Sequence, residues 1–125
     1  MFNLQKKNPV KTQNFTLDAK DASLGRLASQ AAKILMGKNS PTYTPNIDCG
    51  YFVNIINAGQ VKITGKKIEQ KKYHRYTGYP GGISTVELKK LAVVDITKPI
   101  KLAISKMMPK NRLHAKRMRR LTIKY

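Results

Sequence analysis

Residues 51–56, Tyr-Phe-Val-Asn-Ile-Ile, constrain the fold more than any other segment, because they form a nearly continuous apolar run rich in β-formers. A strand of this composition is typical of one covered on both faces, as in a parallel sheet with helices on each side. Residues 15–17 and 121–123 predict two further strands. Residues 61–64 and 72–77 are weaker candidates, and the Tyr79–Gly82 segment predicts a loop.

Two apolar stripes at helical spacing predict the main helices. The first covers residues 24–35, with Ser23 as its N-cap and Gly37 at its end. The second follows Pro99 and ends at Pro109. Their apolar positions are Leu24, Leu27, Ala28, Ala31 and Leu35 in the first, and Ile100, Ala103, Ile104, Met107 and Met108 in the second.

Two shorter helices are also expected. Ser84 and Glu87 have the spacing of a capping box, which predicts a helix from there to about Leu91. Residues 112–120 are expected to be helical, although their apolar stripe is poor. The order of strands and helices predicts an α/β protein. We expect residues 14–125 to form one domain and residues 1–13 to form a basic N-terminal tail.

The charge balance is the strongest indication of function. The chain has 25 Lys and Arg against 6 Asp and Glu, a net charge of +19, and residues 96–125 contain no acid. A compact chain of this charge repels itself unless an anionic partner surrounds it. A nucleic-acid backbone is such a partner, since each neutralised phosphate releases counterions.

Three basic stretches are candidate nucleic-acid contacts. The first runs from Lys62 to Arg75, with Gly65 inside it. The second, residues 73–79, interleaves aromatic rings with cations, so its rings can stack on unpaired bases. The third, residues 110–120, places Arg112, Lys116 and Arg119 or Arg120 on one face if it is helical. Dispersed cations with glycine loops, without a zinc-finger, zipper or helix-turn-helix pattern, favour folded RNA over a DNA groove.

Other classes of function have little support in the sequence. Residues 59–65 lack the spacing of a phosphate-binding loop, and no Ser or Thr follows Lys66. The six acids form no close pair suited to metal-dependent nuclease chemistry, so we expect neither catalytic residues nor a metal or other cofactor. Cys49 is the one cysteine, which excludes an internal disulfide. No apolar run reaches the length of a membrane-spanning helix, and a soluble protein in a reducing compartment fits best.

A series of short motifs resembles the universal large-subunit ribosomal protein 13 family, in its bacterial or organellar form. The similarity covers about residues 14–125. The motifs, in chain order, are Asp18-Ala19, Leu24-Gly25-Arg26-Leu27-Ala28-Ser29, Gly37-Lys38, Tyr43-Thr44-Pro45, Asp48-Cys49-Gly50, Asn57-Ala58, Thr64-Gly65-Lys66-Lys67, Lys72-Tyr73, Thr77-Gly78-Tyr79-Pro80-Gly81-Gly82 and Met107-Met108-Pro109-Lys110-Asn111. Two places depart from the family pattern: Tyr51 stands where an acid is usual, and Leu113-His114-Ala115 replaces a Leu-Gly-Arg.

The resemblance implies a three-layer α/β/α fold around a mainly parallel four-stranded sheet, with basic loops and extended ends. It implies a structural, non-catalytic role in the large ribosomal subunit, where the protein binds large-subunit rRNA, contacts neighbouring ribosomal proteins and supports early assembly. The basic stretches and the resemblance together predict these RNA-binding residues: Arg26, Lys38, Lys62, Lys66, Lys67, Lys71, Lys72, His74, Arg75, Tyr76, Gly81, Gly82, Lys110, Arg112, His114, Lys116, Arg117, Arg119 and Arg120.

Three alternatives remain beside this interpretation. One is a free RNA-binding regulator or RNA chaperone outside the ribosome, and another is a nucleic-acid-processing enzyme. The third is a membrane-active basic protein. The expected location is the ribosome, in the bacterial cytoplasm or in an organelle matrix or stroma. No small-molecule substrate and no membrane partner are expected.

Overall fold

The computed structural model describes residues 12–125. The predicted tail over residues 1–13 lies almost entirely outside this range, so its separation from the domain stays a prediction. In chain order the elements are β1 (Asn14–Asp18), α1 (Leu24–Met36), β2 (Phe52–Ile56), a 3-10 turn (Ala58–Gln60), α2 (Lys67–Gln70), β3 (Lys72–Tyr76), β4 (Ile83–Glu87), α3 (Leu88–Val94), α4 (Thr97–Met107), α5 (Arg112–Arg119) and β5 (Leu121–Ile123).

The main sheet is parallel, in the order β1-β2-β5, as the apolar run at residues 51–56 predicts. Phe15 lies opposite Val53, which in turn lies opposite Leu121. These side chains therefore share one face of the sheet, and this face packs into the hydrophobic core. The ring of Phe15 meets that of Tyr51 edge to face, with 5.5 Å between the ring centroids.

The sheet differs from the expectation in two respects. It has three strands within residues 12–125 rather than four, because the segment at 61–64 contributes a single bridge between Lys62 and Ser23. Its second face is not fully covered, since Phe52 keeps 39% of its surface exposed. Successive side chains along a strand point to opposite faces of the sheet, so an apolar residue at position 52 is not necessarily buried. The three-layer arrangement stays a prediction.

The hairpin β3–β4 forms a separate antiparallel pair. The prediction that a helix begins with a capping box at Ser84 and Glu87 is wrong, because both residues belong to β4. The helix begins at Leu88 instead. Ser84 pairs with Arg75 and Glu87 with Lys72. Residues 83–87 contain three β-branched side chains and pair along their whole length with β3, and this pairing outweighs the local capping signal.

The two predicted main helices are confirmed and pack against each other. Leu27, Leu35, Ile100 and Ile104 are all buried, and small residues of α1 between them allow a close approach. Burying each such Leu or Ile stabilises the fold by about 1.5–3 kcal/mol. Ser23 lies at the N-cap of α1 as expected, but its side chain makes no capping hydrogen bond.

Gly37 ends α1 in the left-handed conformation, with φ of 80°. Its N–H donates to the carbonyl of Ile34, and the N–H of Lys38 donates to that of Lys33, which closes the helix end. A Cβ at this position would overlap the side chain of Cys49. Glycine is therefore required here both by the backbone angle and by the neighbouring side chain.

Candidate nucleic-acid interface

The first predicted basic stretch lies along a groove of about 870 Å³. The bridge between Ser23 and Lys62 holds the start of α1 beside the segment that leads to α2, and α4 lies against the same groove. Four predicted residues and one further lysine meet there, although they are far apart in sequence. The groove cations are Arg26, Lys62, Lys67, Lys71 and Lys106.

Two of the groove lysines lie over one aromatic ring. The Nζ atoms of Lys71 and Lys106 are 5.7 Å and 5.4 Å from the centroid of the Tyr73 ring. Cation–π contacts of this length attract each ammonium group to the ring. Partial burial raises the pKa of the Tyr73 hydroxyl, so the ring stays neutral at physiological pH.

Lys106 is not among the residues that the sequence predicted as contacts. It lies next to Met107 in the apolar stripe of α4, where no local pattern marks it as a contact residue. The cation–π contact with Tyr73, 33 positions earlier in the chain, brings it to the groove. The absence of acids from residues 96–125 indicates a basic surface there, but it does not show which of the basic residues lie in the groove.

The second predicted stretch forms β3 and the loop after it. His74 Nδ1 lies 2.9 Å from the hydroxyl of Thr85 across the hairpin, which fixes the orientation of the ring. Arg75 is exposed, and Tyr76 keeps 65% of its surface open. Lys72 and Lys66 are exposed at the hairpin base and at the N-cap of α2. The open ring of Tyr76 is available for stacking.

The loop between β3 and β4 is held by its own hydrogen bonds. The N–H and the hydroxyl of Thr77 donate to the carbonyl of Gly82, at 3.0 Å and 3.1 Å, and Gly82 N–H donates to the carbonyl of Tyr79. Gly81 adopts φ of 71°, and a Cβ at Gly82 would lie 2.9 Å from the Tyr79 carbonyl oxygen. Both glycines are needed for this tight turn, which leaves the backbone of the loop tip exposed.

The third predicted stretch contains α5, which confirms the expected helix. The Asn111 side chain caps it by accepting hydrogen bonds from the backbone N–H groups of Leu113 and His114, at 3.1 Å and 3.2 Å. Arg112, Lys116 and Arg119 are exposed. Their spacing places them along one face of the helix, where they form a row of cations.

Two other arginines of the same stretch point inward. Arg117 is 1% exposed, and its Nε lies 3.9 Å from a carboxylate oxygen of Asp48. Arg120 donates from Nη2 to that same oxygen and from Nε to the carbonyl of Tyr51 at 3.1 Å. These two residues join α5 to the segment before β2. The charged ends of Arg117 and Arg120 are therefore directed at Asp48 and Tyr51 rather than at the exposed surface.

Asp48 is the acid of this cluster, and its pKa lies below the ordinary value of 3.8. Burial is the largest single influence and raises the pKa. The hydrogen bond and charge of Arg120, the backbone N–H of Gly50 and the charge of Arg117 together outweigh it. The carboxylate is therefore ionised at neutral pH. Within residues 12–125, all ion pairs are made by this carboxylate.

The remaining predicted residues have mixed surroundings. His114 is half-buried, and its Nε2 lies 3.1 Å from both the hydroxyl and the carbonyl oxygen of Ser105, so the ring links α5 to α4. Lys38 follows the end of α1 and is exposed, as is Lys110 before α5. These two lysines are open to solvent but lie outside the groove.

Two further acids hold the fold together. Asp18 accepts hydrogen bonds from the side chain of Asn57 and the backbone of Lys20. Asp95 accepts from Thr97 and from the hydroxyl of Tyr125. Each carboxylate has its pKa lowered, chiefly by the first of these partners. Half of the six acids are thus occupied inside the chain, and the surface cations stay largely uncompensated.

Cys49, His74 and His114, the side chains of the chain that most often act as nucleophile, base or metal ligand, lie in separate places. Cys49 is buried against Gly37, His74 is on the hairpin and His114 is on α5. The part of the chain from residue 12 onward contains no group of three or more His, Cys, Asp or Glu placed to hold a metal ion.

None of the helices within residues 12–125 combines the length and the apolar character needed to cross a membrane.

Comparison with known proteins identifies the family. Residues 12–124 match the family described as Ribosomal protein L13. The large ribosomal subunit protein uL13 of Caldanaerobacter subterraneus subsp. tengcongensis is 49% identical over 120 residues, covering 96% of this chain and 84% of that protein. The proteins of the same name from Thermosipho africanus and Aquifex aeolicus are 47% and 44% identical, covering 96% and 94% of this chain and 80% and 82% of their own lengths. The chain therefore belongs to the ribosomal protein L13 family.

Proposed function

We propose that the protein is a structural component of the large ribosomal subunit and binds its rRNA through one basic surface. Membership of the L13 family carries this proposal, because its relatives are named as large-subunit proteins. The family is structural, so no catalytic role is assigned. The physical support is a surface of exposed cations that make no ion pair within residues 12–125.

The proposed RNA-binding surface has three parts: the groove, the hairpin with its glycine loop, and the outer face of α5. These parts come from distant segments of the chain, so their spacing is fixed by the fold rather than by any one helix or strand. Such a surface recognises the shape and backbone of a folded RNA. Its residues are the groove cations Arg26, Lys62, Lys67, Lys71 and Lys106, the hairpin and loop residues Lys72, His74, Arg75, Tyr76, Gly81 and Gly82, and Arg112, Lys116 and Arg119 of α5. The exposed lysines Lys38, Lys66 and Lys110 lie outside these three parts and are proposed as further contacts. His114 is left out because its ring links α5 to α4.

We further propose that the protein contacts neighbouring ribosomal proteins and acts early in subunit assembly, within a ribosome of the bacterial cytoplasm. The relatives named above are bacterial, which favours this location over an organelle. Exposed apolar side chains at the end of α3, Val93 at 82% and Val94 at 75% exposure, provide a surface for a protein neighbour.

Sedimentation tests the proposal directly. An epitope-tagged copy of the protein is expressed in a bacterial host that lacks its own L13 protein, and the lysate is separated on a sucrose gradient. We expect the tag in the large-subunit and whole-ribosome fractions at moderate salt, and its release at high salt. Recovery of the tag mainly in light fractions would support a free RNA-binding regulator or chaperone instead. Depletion is expected to cause accumulation of incomplete large subunits.

A matched pair of variants separates the α5 face from general charge. Replacing Arg112, Lys116 and Arg119 with Gln removes three exposed cations from the proposed surface. Replacing Lys33, Lys90 and Lys124 removes the same charge from exposed positions outside it. The first variant is expected to leave the large subunit at lower salt than the second. Equal release would remove α5 from the proposed surface.

A further inference from the structure

We propose that the groove between α1, α2, α3 and α4 holds the backbone of a single RNA strand, whereas the α5 face contacts the RNA outside any cleft. This inference rests on the proposed function and assigns one part of the surface to one form of RNA. Its basis is the groove's charge, its preorganised lysines and its shape.

The charge of the groove favours a chain of phosphates. Its lining includes five cations and one acid, Asp21. Within residues 12–125 none of the five makes an ion pair. Helix α1 also begins beside the groove, with no acid in its first turn, so the positive end of the helix dipole adds to the same potential. Several unpaired cations around one cleft attract a polyanion rather than a single small anion.

Tyr73 restricts the side-chain conformations of Lys71 and Lys106. The ring is half-buried between β3 and α4, and it lies within 6 Å of the ammonium groups of Lys71 and Lys106. Lysines on the surface normally lose rotamer freedom when they bind phosphate. Contacts with a common ring restrict that freedom before binding, which lowers the entropic cost of binding.

The apolar part of the lining provides contacts for sugars or bases. Met107 keeps 44% of its surface exposed beside the cations, and Leu24 and Ala103 are half-buried near it. A flexible thioether adapts to irregular neighbours and packs well against planar rings. Cations along a backbone together with apolar contacts to bases are the usual features of a single-strand binding groove.

The concave form of the site favours a single strand over a duplex. A double helix is convex and presents its phosphates along two ridges, so it meets an exposed row of cations more readily than a cleft of about 870 Å³. The row of Arg112, Lys116 and Arg119 on α5 is such an exposed feature. The two regions therefore fit different parts of a folded rRNA.

Binding of two RNA probes tests this assignment. The purified full-length protein is titrated with a labelled oligouridylate and, separately, with an RNA hairpin duplex. The groove variant replaces Lys62, Lys67 and Lys71 with Gln, and the control variant replaces Lys33, Lys90 and Lys124, which do not line the groove. For oligouridylate we expect the groove variant to lower the slope of log affinity against log salt by about 2, at about 0.7 per phosphate contact. The control is expected to keep the wild-type slope.

The outcomes are distinct. A loss confined to oligouridylate supports the inference, and an equal loss for both variants or for both probes overturns it. In the latter case sedimentation with large subunits still tests the proposed function independently. A wild-type protein that binds neither probe and does not sediment with large subunits overturns both proposals. Circular dichroism confirms that each variant is folded.

Two further measurements do not depend on losing affinity. Asp21→Asn removes the one acid of the lining and keeps a residue type that tolerates its φ of 55°, so oligouridylate affinity is expected to rise several-fold. In intact large subunits, acetylation of Lys62, Lys67 and Lys71 is expected to be slower than in the free protein. Unchanged reactivity of all three lysines in the subunit contradicts the inference.

Discussion

Replacing Asp48 with Asn is predicted to destabilise the protein through Arg117. The carboxylate serves two guanidinium groups at once, yet the two depend on it differently. Arg120 also donates to the Tyr51 carbonyl and is partly exposed, whereas Arg117 is 1% exposed and its Nε and Nη2 atoms have no hydrogen-bond partner. The charge of Asp48 is therefore the main compensation for the burial of Arg117.

The geometry gives the size of the effect. At 3.9 Å and an effective dielectric constant of about 20, the attraction between Arg117 and Asp48 is about 4 kcal/mol. Removing one partner of a buried pair typically costs about 3–5 kcal/mol, because the other charge is left uncompensated. We expect a loss of this size for Asp48→Asn, a large part of the roughly 5–15 kcal/mol that stabilises a domain.

A double-mutant cycle isolates the contribution of Arg117. Arg117→Met replaces the buried guanidinium with an apolar side chain and is expected to be neutral or stabilising by about 1–2 kcal/mol. In that background Asp48→Asn should cost roughly 1–2 kcal/mol, because Arg120 is partly exposed and keeps its hydrogen bond to the Tyr51 carbonyl. Urea unfolding followed by circular dichroism measures all four proteins, and Glu69→Gln controls for the change in net charge at an exposed site. Equal costs of Asp48→Asn in both backgrounds, or a severe loss from Arg117→Met, would refute this reasoning.

Three other predictions follow from the same structure. First, the folded-state pKa of Asp48 lies below 3.8, so the stabilisation by its carboxylate is present at neutral pH and is lost as the pH falls below that value. The difference in unfolding free energy between wild type and Asp48→Asn should therefore shrink in urea titrations at progressively more acidic pH. Second, Gly37→Ala should cost more than Gly65→Ala, since both have positive φ but only Gly37 faces Cys49. We expect about 1 kcal/mol for Gly65 and at least twice that for Gly37 by thermal unfolding, and equal losses would contradict the packing described. Third, if about six phosphates are contacted, affinity for rRNA should fall roughly a thousandfold or more between about 50 and 200 mM salt in filter-binding assays, and a flat response would contradict a backbone-dominated interface.

The sequence predicted the main elements because their signals are local. The apolar stripes of α1 and α4 and the β-rich run of β2 each specify an element without reference to distant residues. Ser84 and Glu87 show where this fails, because the capping-box spacing was outweighed by pairing with a strand eight or more positions earlier in the chain. The number of strands in the sheet was likewise not readable from residues 61–64, which have strand composition but make one bridge.

For the candidate site, the sequence identified the charged residues but not which of them are exposed and which are buried. Arg117 and Arg119 are the same residue type and lie two positions apart, yet Arg117 is buried beside Asp48 and Arg119 is exposed. The helical face that α5 presents to the core decides this, and its poor apolar stripe left that face undefined. Lys106 was missed for the opposite reason, since its role arises from a long-range contact with Tyr73.

Because Cys49 packs against Gly37, the reactivity of its thiol can report on local opening at the end of α1. The sole thiol is 8% exposed, and on one side it packs against the backbone of Gly37 so closely that no Cβ fits between them. Separation of the end of α1 from the loop before β2 would expose more of this side chain, so the rate of alkylation is expected to rise with that local opening. Comparing this rate in free protein and in whole ribosomal particles would show how much the surrounding RNA restrains a movement that no binding assay detects.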